Sequence, residues 1–219
     1  MMREQCRVSE VYDKLVKPWD GPVSRYINRR ISLTITCFLI NHNIIPSPNL
    51  VTIVTTLIGL FSALTILYNP ILGGILVELA SILDGVDGEI ARLTGRTSRY
   101  GAFLDSMLDR IVDVAVIMAS SIYLLGILSP LYSQTLSLWF LSSSILVSYL
   151  HARGEASLSK NLQLIGFKMY AGRDVRLFLL SIALIVYPFS HVLFLALILF
   201  LTILQTIYII YKIIVAKGA

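Results

Sequence analysis

Apolar runs close to the roughly twenty residues that a helix needs to cross a bilayer fill most of the chain beyond Asn49. A chain with several such runs folds as membrane-spanning helices, because lipid offers no partner for an unpaired backbone amide or carbonyl. Charge content agrees. Only 14% of the residues are charged, against about a quarter in soluble domains, and the mean hydropathy is +0.79. With 13 glycines, 7 prolines and 2 cysteines, the chain is neither collagen-like, nor a disordered linker, nor a disulfide-stapled secreted scaffold.

Residues 1–48 form a polar leader with seven basic residues, from Arg3 to Arg30, and no apolar core with a small-residue cleavage site, so it does not read as a signal peptide. Basic and apolar residues alternate from Arg25 to about Asn43 over too short a run to span, which predicts an amphipathic helix lying on the membrane surface. Ser47-Pro48-Asn49 then supplies a break and a helix cap. Beyond it, residues 49–219 predict six transmembrane helices: about 49–69, 71–94, 101–127 and 134–154, and two from the final apolar block divided at Pro188. The 18 Lys and Arg residues cluster in the leader, around 92–99 (counting Arg110 there), in 151–176 and at the C-terminal end. The positive-inside rule therefore puts both termini in the cytoplasm, as an even number of spans requires. Cys6 and Cys37 match no metal or redox spacing and read as free thiols. The net charge of +5 lacks the aromatic-basic interleaving of a nucleic-acid surface, so lipid headgroups or phosphorylated substrates are the expected partners.

Seven of the 13 acidic residues fall between Glu78 and Asp113, inside or beside apolar segments. Each costs roughly 2.5–3.5 kcal/mol to insert, so cations or water must compensate. Asp84 and Asp87 are three apart and Asp105 and Asp109 four apart, so each pair shares one helix face, with Asp113 a turn further on. The short connection near 93–100 makes the two helices antiparallel neighbours with both pairs at the cytoplasmic end. Four converging carboxylates without His or Cys favour Mg²⁺ or Mn²⁺ (Ca²⁺ is also a hard oxygen-seeker) over zinc, in a site that can hold two ions and that suits phosphoryl chemistry. Two other uses of the same groups are a salt-bridge set with Arg92 and Arg110, and a cation or proton pathway. Glu89 lies off the main face and reads as solvated or capping.

The run Asp84-x2-Asp87-Gly88-x2-Ala91-Arg92-x8-Gly101-x3-Asp105-x3-Asp109 resembles the signature of the CDP-alcohol phosphotransferase (CDP-alcohol phosphatidyltransferase) family at all eight of its positions. Pro48-Asn49-x2-Thr52 resembles the entry to that family's first helix. The resemblance extends over about 17–214. It implies a six-helix membrane enzyme, usually homodimeric, with a polar cavity open to the cytoplasm. It further implies that Asp84, Asp87, Asp105 and Asp109 ligate the metal, that Asp109 is the general base, and that Gly88, Ala91, Arg92, Gly101, Asn49 and Thr52 surround the CDP moiety. On their own chemistry, Gly88 and Ala91 leave room beside the acids, Gly101 permits close helix approach, and Arg92 suits a phosphate.

A second basic cluster follows the fourth predicted span. Tyr149-x3-Arg153-Gly154-Glu155-Ala156 and Gly172-Arg173-x2-Arg176 resemble the acceptor region of the family's inositol-phosphate branch, with Gly154 where Ala is usual. Arginines three apart at a helix start, as Arg173 and Arg176 are, can share one phosphomonoester; the resemblance implies Arg153, Lys168, Arg173 and Arg176 as the acceptor-phosphate residues. The leader segment 17–32 resembles the entry to di-myo-inositol-phosphate-phosphate synthase domains, although no cytidylyltransferase domain is fused here, so a separate enzyme is expected to make the CDP-alcohol. The expected reaction is transfer from CDP-inositol to inositol phosphate with release of CMP. A lipid donor, CDP-archaeol or CDP-diacylglycerol, stands beside it. A cation transporter would account for the acids but leaves Arg92, Gly101 and the basic loop unexplained.

Overall fold

The structure, a computed structural model, describes residues 6–166 and 171–217. Among them it is all-helical: α1 (Val8–Leu15), a π-helical turn (Ser24–Asn28), α2 (Arg29–Asn41), α3 (Pro48–Ile66), α4 (Pro70–Leu93), α5 (Arg99–Leu125), α6 (Pro130–Leu158), α7 (Arg173–Val186) and α8 (His191–Ala216). Helix starts follow local chemistry. Ser47, Asn69, Ser98 and Ser190 each accept a hydrogen bond from the backbone amide three residues on, and Pro48, Pro70 and Pro130 open their helices where a missing amide costs nothing. The break around Pro188 falls where the sequence places it, between α7 and α8.

Among the described residues six helices therefore follow α2, but they are unequal. α3, α6 and α8 are long and apolar enough to cross a membrane. α4 and α5 are longer than α3 but carry the acidic residues, and α7, with 14 residues, reaches only about 21 Å at 1.5 Å per residue, short of a ~30 Å hydrocarbon core. The expected helix at 25–43 is present in two pieces, a π-helical turn and α2. The leader also contains α1, a helix its polarity does not predict.

The close helix pairs run round a ring: α3 on α4, α4 on α7, α7 on α8, α8 on α6, α6 on α5 and α5 back on α3, with α2 laid against α4. α4 and α5 are not among the closely packed pairs of the described residues, contrary to the short-loop argument. Both instead lean on α3 and leave a polar space between the C-terminal end of α4 and the N-terminal end of α5. Inside the ring, Ile66, Val116, Ile117, Leu180, Leu184, Phe194 and Ile198 are buried. Backbone approach is close where residues are small: a Cβ on Gly74 would lie 2.8 Å from the Ser181 carbonyl oxygen, and the Ser181 hydroxyl donates to the Gly74 carbonyl at 2.8 Å. In lipid such close packing and interhelical hydrogen bonding replace the hydrophobic effect as the source of helix association.

The expectation of free thiols is corrected: Cys6 and Cys37 form a disulfide. Asn41 lies beside the pair: its side chain accepts from the Cys6 amide at 2.8 Å and donates to the Cys6 carbonyl at 3.1 Å, holding the start of the leader along α2. Two cysteines 31 residues apart carry no spacing signal for this.

Candidate active site

Asp84 sits in the C-terminal half of α4, and Asp105 and Asp109 lie one turn apart on α5. One carboxylate oxygen from each falls within 4.8 Å of the others. Three of the four predicted ligands thus converge. Asp87 is turned aside: it accepts from the Thr52 hydroxyl of α3 and from the Gly88 amide. The cluster fits a hard divalent cation, because its donors are all carboxylate oxygens and Asp105 Oδ1 is buried without any hydrogen-bond partner.

Arg173, at the first position of α7, supplies the counter-charge. Its Nη1 lies 2.9 Å from Asp84 Oδ2, its Nη2 2.9 Å from Asp109 Oδ1, and its Nε 3.1 Å from Asp113 Oδ1. Asp113 is fully buried and also meets Arg110 and Arg176. One carboxylate therefore anchors three guanidinium groups. Arg110 pairs with Asp109 as well, at 3.6 Å, so half of the salt-bridge alternative is present, coexisting with the convergent acids. Arg92 makes no such pair; its Nε and Nη2 are buried without partners.

A cavity of about 310 Å³ opens between α3, α4 and α5. All six residues expected around CDP line it: Asn49, Thr52, Gly88, Ala91, Arg92 and Gly101. A Cβ on Gly101 would lie 3.2 Å from Asn49 Oδ1, which is the close approach expected there. Two cations come from the leader, Lys17 and Arg29, and join Arg92 and Arg96 in the lining. Burial, followed by the charges of Arg92 and Arg29, pulls the Lys17 ammonium below its ordinary pKa. So many cations facing one space call for an anion such as a diphosphate.

A second cavity, about 230 Å³, adjoins Asp84 on the other side and is lined by Arg173, Asp109 and residues of the leader and π-helical turn. The remaining acceptor candidates are scattered. Arg153 is exposed on α6 and lines neither cavity. Arg176 is 1% exposed, held by Asp113 and donating to the Ser144 carbonyl at 3.4 Å, which makes it a scaffold for Arg173. Lys168 lies outside the described residues.

Glu89 requires correction. It is off the acidic face, as its register predicts, but 0% exposed: it accepts from Arg29 at 2.9 Å, Ser32 at 2.6 Å and Thr36 at 2.8 Å, all on α2. Arg29 in turn reaches Asp20 at 3.2 Å. A Cβ on Gly85 would lie 3.2 Å from Arg29 Nη1. Arg29, Lys17 and Glu89 thus tie the leader to the site, and the only sequence sign of it is the polar face of α2, which headgroups explain equally well.

The family description "CDP-alcohol phosphatidyltransferase" matches residues 46–216. The chain belongs to this family. A bifunctional IPC transferase and DIPP synthase of Aquifex aeolicus is 47% identical over 105 residues, 48% of this chain and 24% of that protein. An archaetidylinositol phosphate synthase of Aeropyrum pernix is 36% identical over 132 residues, 60% of this chain and 63% of that one. Each match thus spans less than two thirds of the relative. Among solved structures, Mycobacterium tuberculosis phosphatidylinositol phosphate synthase with CDP-DAG bound is 27% identical, with a TM-score of 0.67 over 85% of this chain and 94% of that one. The same enzyme with manganese and citrate gives a TM-score of 0.69 at 25% identity, over 85% of this chain and 88% of that one.

Proposed function

We propose that this member of the family is a divalent-metal-dependent phosphotransferase that moves the phospho-alcohol group of a CDP-alcohol onto a hydroxyl of a phosphorylated polyol, releasing CMP. The observation that carries the reading is the adjacency of a carboxylate cluster to a cation-lined cavity holding all six CDP candidates. The donor's diphosphate lies among Arg92, Lys17, Arg29 and Arg96. Asp84, Asp105 and Asp109 would hold Mg²⁺ or Mn²⁺, two ions in this reading, with Asp87 joining them once its carboxylate gives up the Thr52 hydroxyl. A divalent cation held there would supply charge neutralisation for the diphosphate and for the leaving CMP. Asp109, which lines the second cavity beside Asp84, takes the proton of the acceptor hydroxyl. The acceptor oxygen bonds to the β-phosphorus as the bond to the α-phosphate oxygen breaks, and CMP departs with the electron pair. Arg173 binds the acceptor's phosphate, held in place by Asp113 and Arg176. Arg153 and Lys168 stand as further contacts.

The acceptor in this reading is inositol phosphate and the donor CDP-inositol, the choice favoured by the 47% match to a DIPP synthase. A CDP-linked lipid donor is the second reading, favoured by the likeness to a structure solved with CDP-DAG. A homodimer with six spans, cytoplasmic termini and a site open to the cytoplasm completes the proposal. The test is CMP release by purified protein given Mg²⁺ and inositol phosphate with either CDP-inositol or CDP-archaeol. Release from CDP-inositol alone is expected; release from the lipid alone would replace the first donor by the second, and no release from either would overturn the reading.

A further inference from the structure

The second cavity is built unlike the first. Seven of its fifteen lining residues lie between Trp19 and Ser32, ahead of the stretch that matches the family. This segment is fixed from several directions. The Ser24 amide donates to Asp174 Oδ2 at 3.0 Å, a Cβ on Gly21 would strike the same carboxylate, Arg29 is clamped between Asp20 and Glu89, and the disulfide pins the leader to α2. A wall held so firmly has a fixed shape to offer a ligand.

Two amide side chains in the lining are incompletely satisfied. Asn28 is 6% exposed; its Nδ2 donates to the Ser81 hydroxyl at 3.1 Å, but its Oδ1 is buried with no donor. Gln163 places its Nε2 3.1 Å from His151 Nδ1, and its Oε1 is likewise buried with no donor among the described residues. A buried carbonyl oxygen left unpaired costs free energy, so each calls for a ligand that donates. A phosphate dianion presents only acceptors and an acyl chain presents neither. Hydroxyl groups donate.

We infer that Asn28 and Gln163 recognise hydroxyl groups of a polyhydroxylated acceptor whose phosphate lies at Arg173, making the leader wall a determinant of acceptor specificity. The inference rests on the transferase reading above and adds the groups that select among acceptors. Its test compares wild type with Gln163→Met and, in case one variant fails to fold, Asn28→Ala, using calorimetry with Mg²⁺ and two phosphomonoesters, myo-inositol phosphate and glycerol phosphate. Each variant is expected to weaken inositol phosphate binding about tenfold, since one hydroxyl partner is lost, and to change glycerol phosphate binding by less than about twofold, with the donor KM unmoved. A general structural defect would weaken both ligands alike and raise the donor KM. An unchanged preference in both variants overturns the assignment while wild-type turnover continues. A wild type that releases no CMP with either acceptor overturns the transferase reading itself.

Discussion

Asp109→Asn is expected to cut CMP release by about 10²–10⁴-fold, the usual worth of a positioned general base, while donor affinity stays within a few-fold of wild type. The substitution keeps the side chain's shape and an oxygen that can still accept from Arg173 Nη2, now 2.9 Å away. What it removes is the ability to take a proton. Asp109 lines the second cavity and belongs to the acidic cluster, which in the proposed reaction sets it beside the acceptor hydroxyl and the metal. Because an amide is also a poorer metal ligand, the assay is run as a Mg²⁺ titration. Recovery at high Mg²⁺ would mean that Asp109 acts only as a ligand; the proposal predicts none.

Asp113→Leu is expected to lower stability by about 3–5 kcal/mol, the cost of removing one partner from a buried ion pair. Asp113 has no exposure and meets Arg110 at 3.3 Å, Arg173 at 3.1 Å and Arg176 as well. Without it Arg176, itself 1% exposed, keeps among the described residues only its long contact to the Ser144 carbonyl. Thermal unfolding in detergent reads the effect. Asp113→Asn, which keeps an acceptor but no charge, should fall between leucine and wild type, and the double variant Asp113→Leu with Arg176→Met should recover part of the loss, since apolar replacement of both partners is far cheaper than orphaning one. An unchanged unfolding midpoint in Asp113→Leu would contradict the account of the arginine cluster.

Much of the site is legible in the sequence because its chemistry is local. Asp84 with Asp87, and Asp105 with Asp109, sit at helical spacing on two consecutive helices, and Gly88, Ala91, Arg92 and Gly101 fall between them, so helical periodicity marks each of these residues. Helix boundaries marked by Ser47-Pro48, Asn69-Pro70 and Pro188 are local in the same sense. What the sequence does not reveal depends on distant contacts. Glu89 is buried because α2 lies on α4 and brings Arg29, Ser32 and Thr36 to it across more than fifty residues. Cys6 meets Cys37 across 31 residues, with Asn41 beside the pair. α4 and α5 stand apart because both lean on α3, which a loop-length argument cannot foresee. Arg176 looks like a phosphate ligand in sequence, yet its position one turn into α7 carries it down to Asp113 and out of reach of either cavity.

The central claim, that the carboxylate cluster works through a bound divalent cation to transfer a phospho-alcohol group, is tested most directly by following CMP release from chelator-treated purified protein supplied with CDP-inositol and inositol phosphate while Mg²⁺ or Mn²⁺ is added back. The account predicts no release until the metal is present, saturable recovery as it is added, and no recovery in Asp105→Asn at the same concentrations. Full-rate CMP release in excess chelator would contradict it.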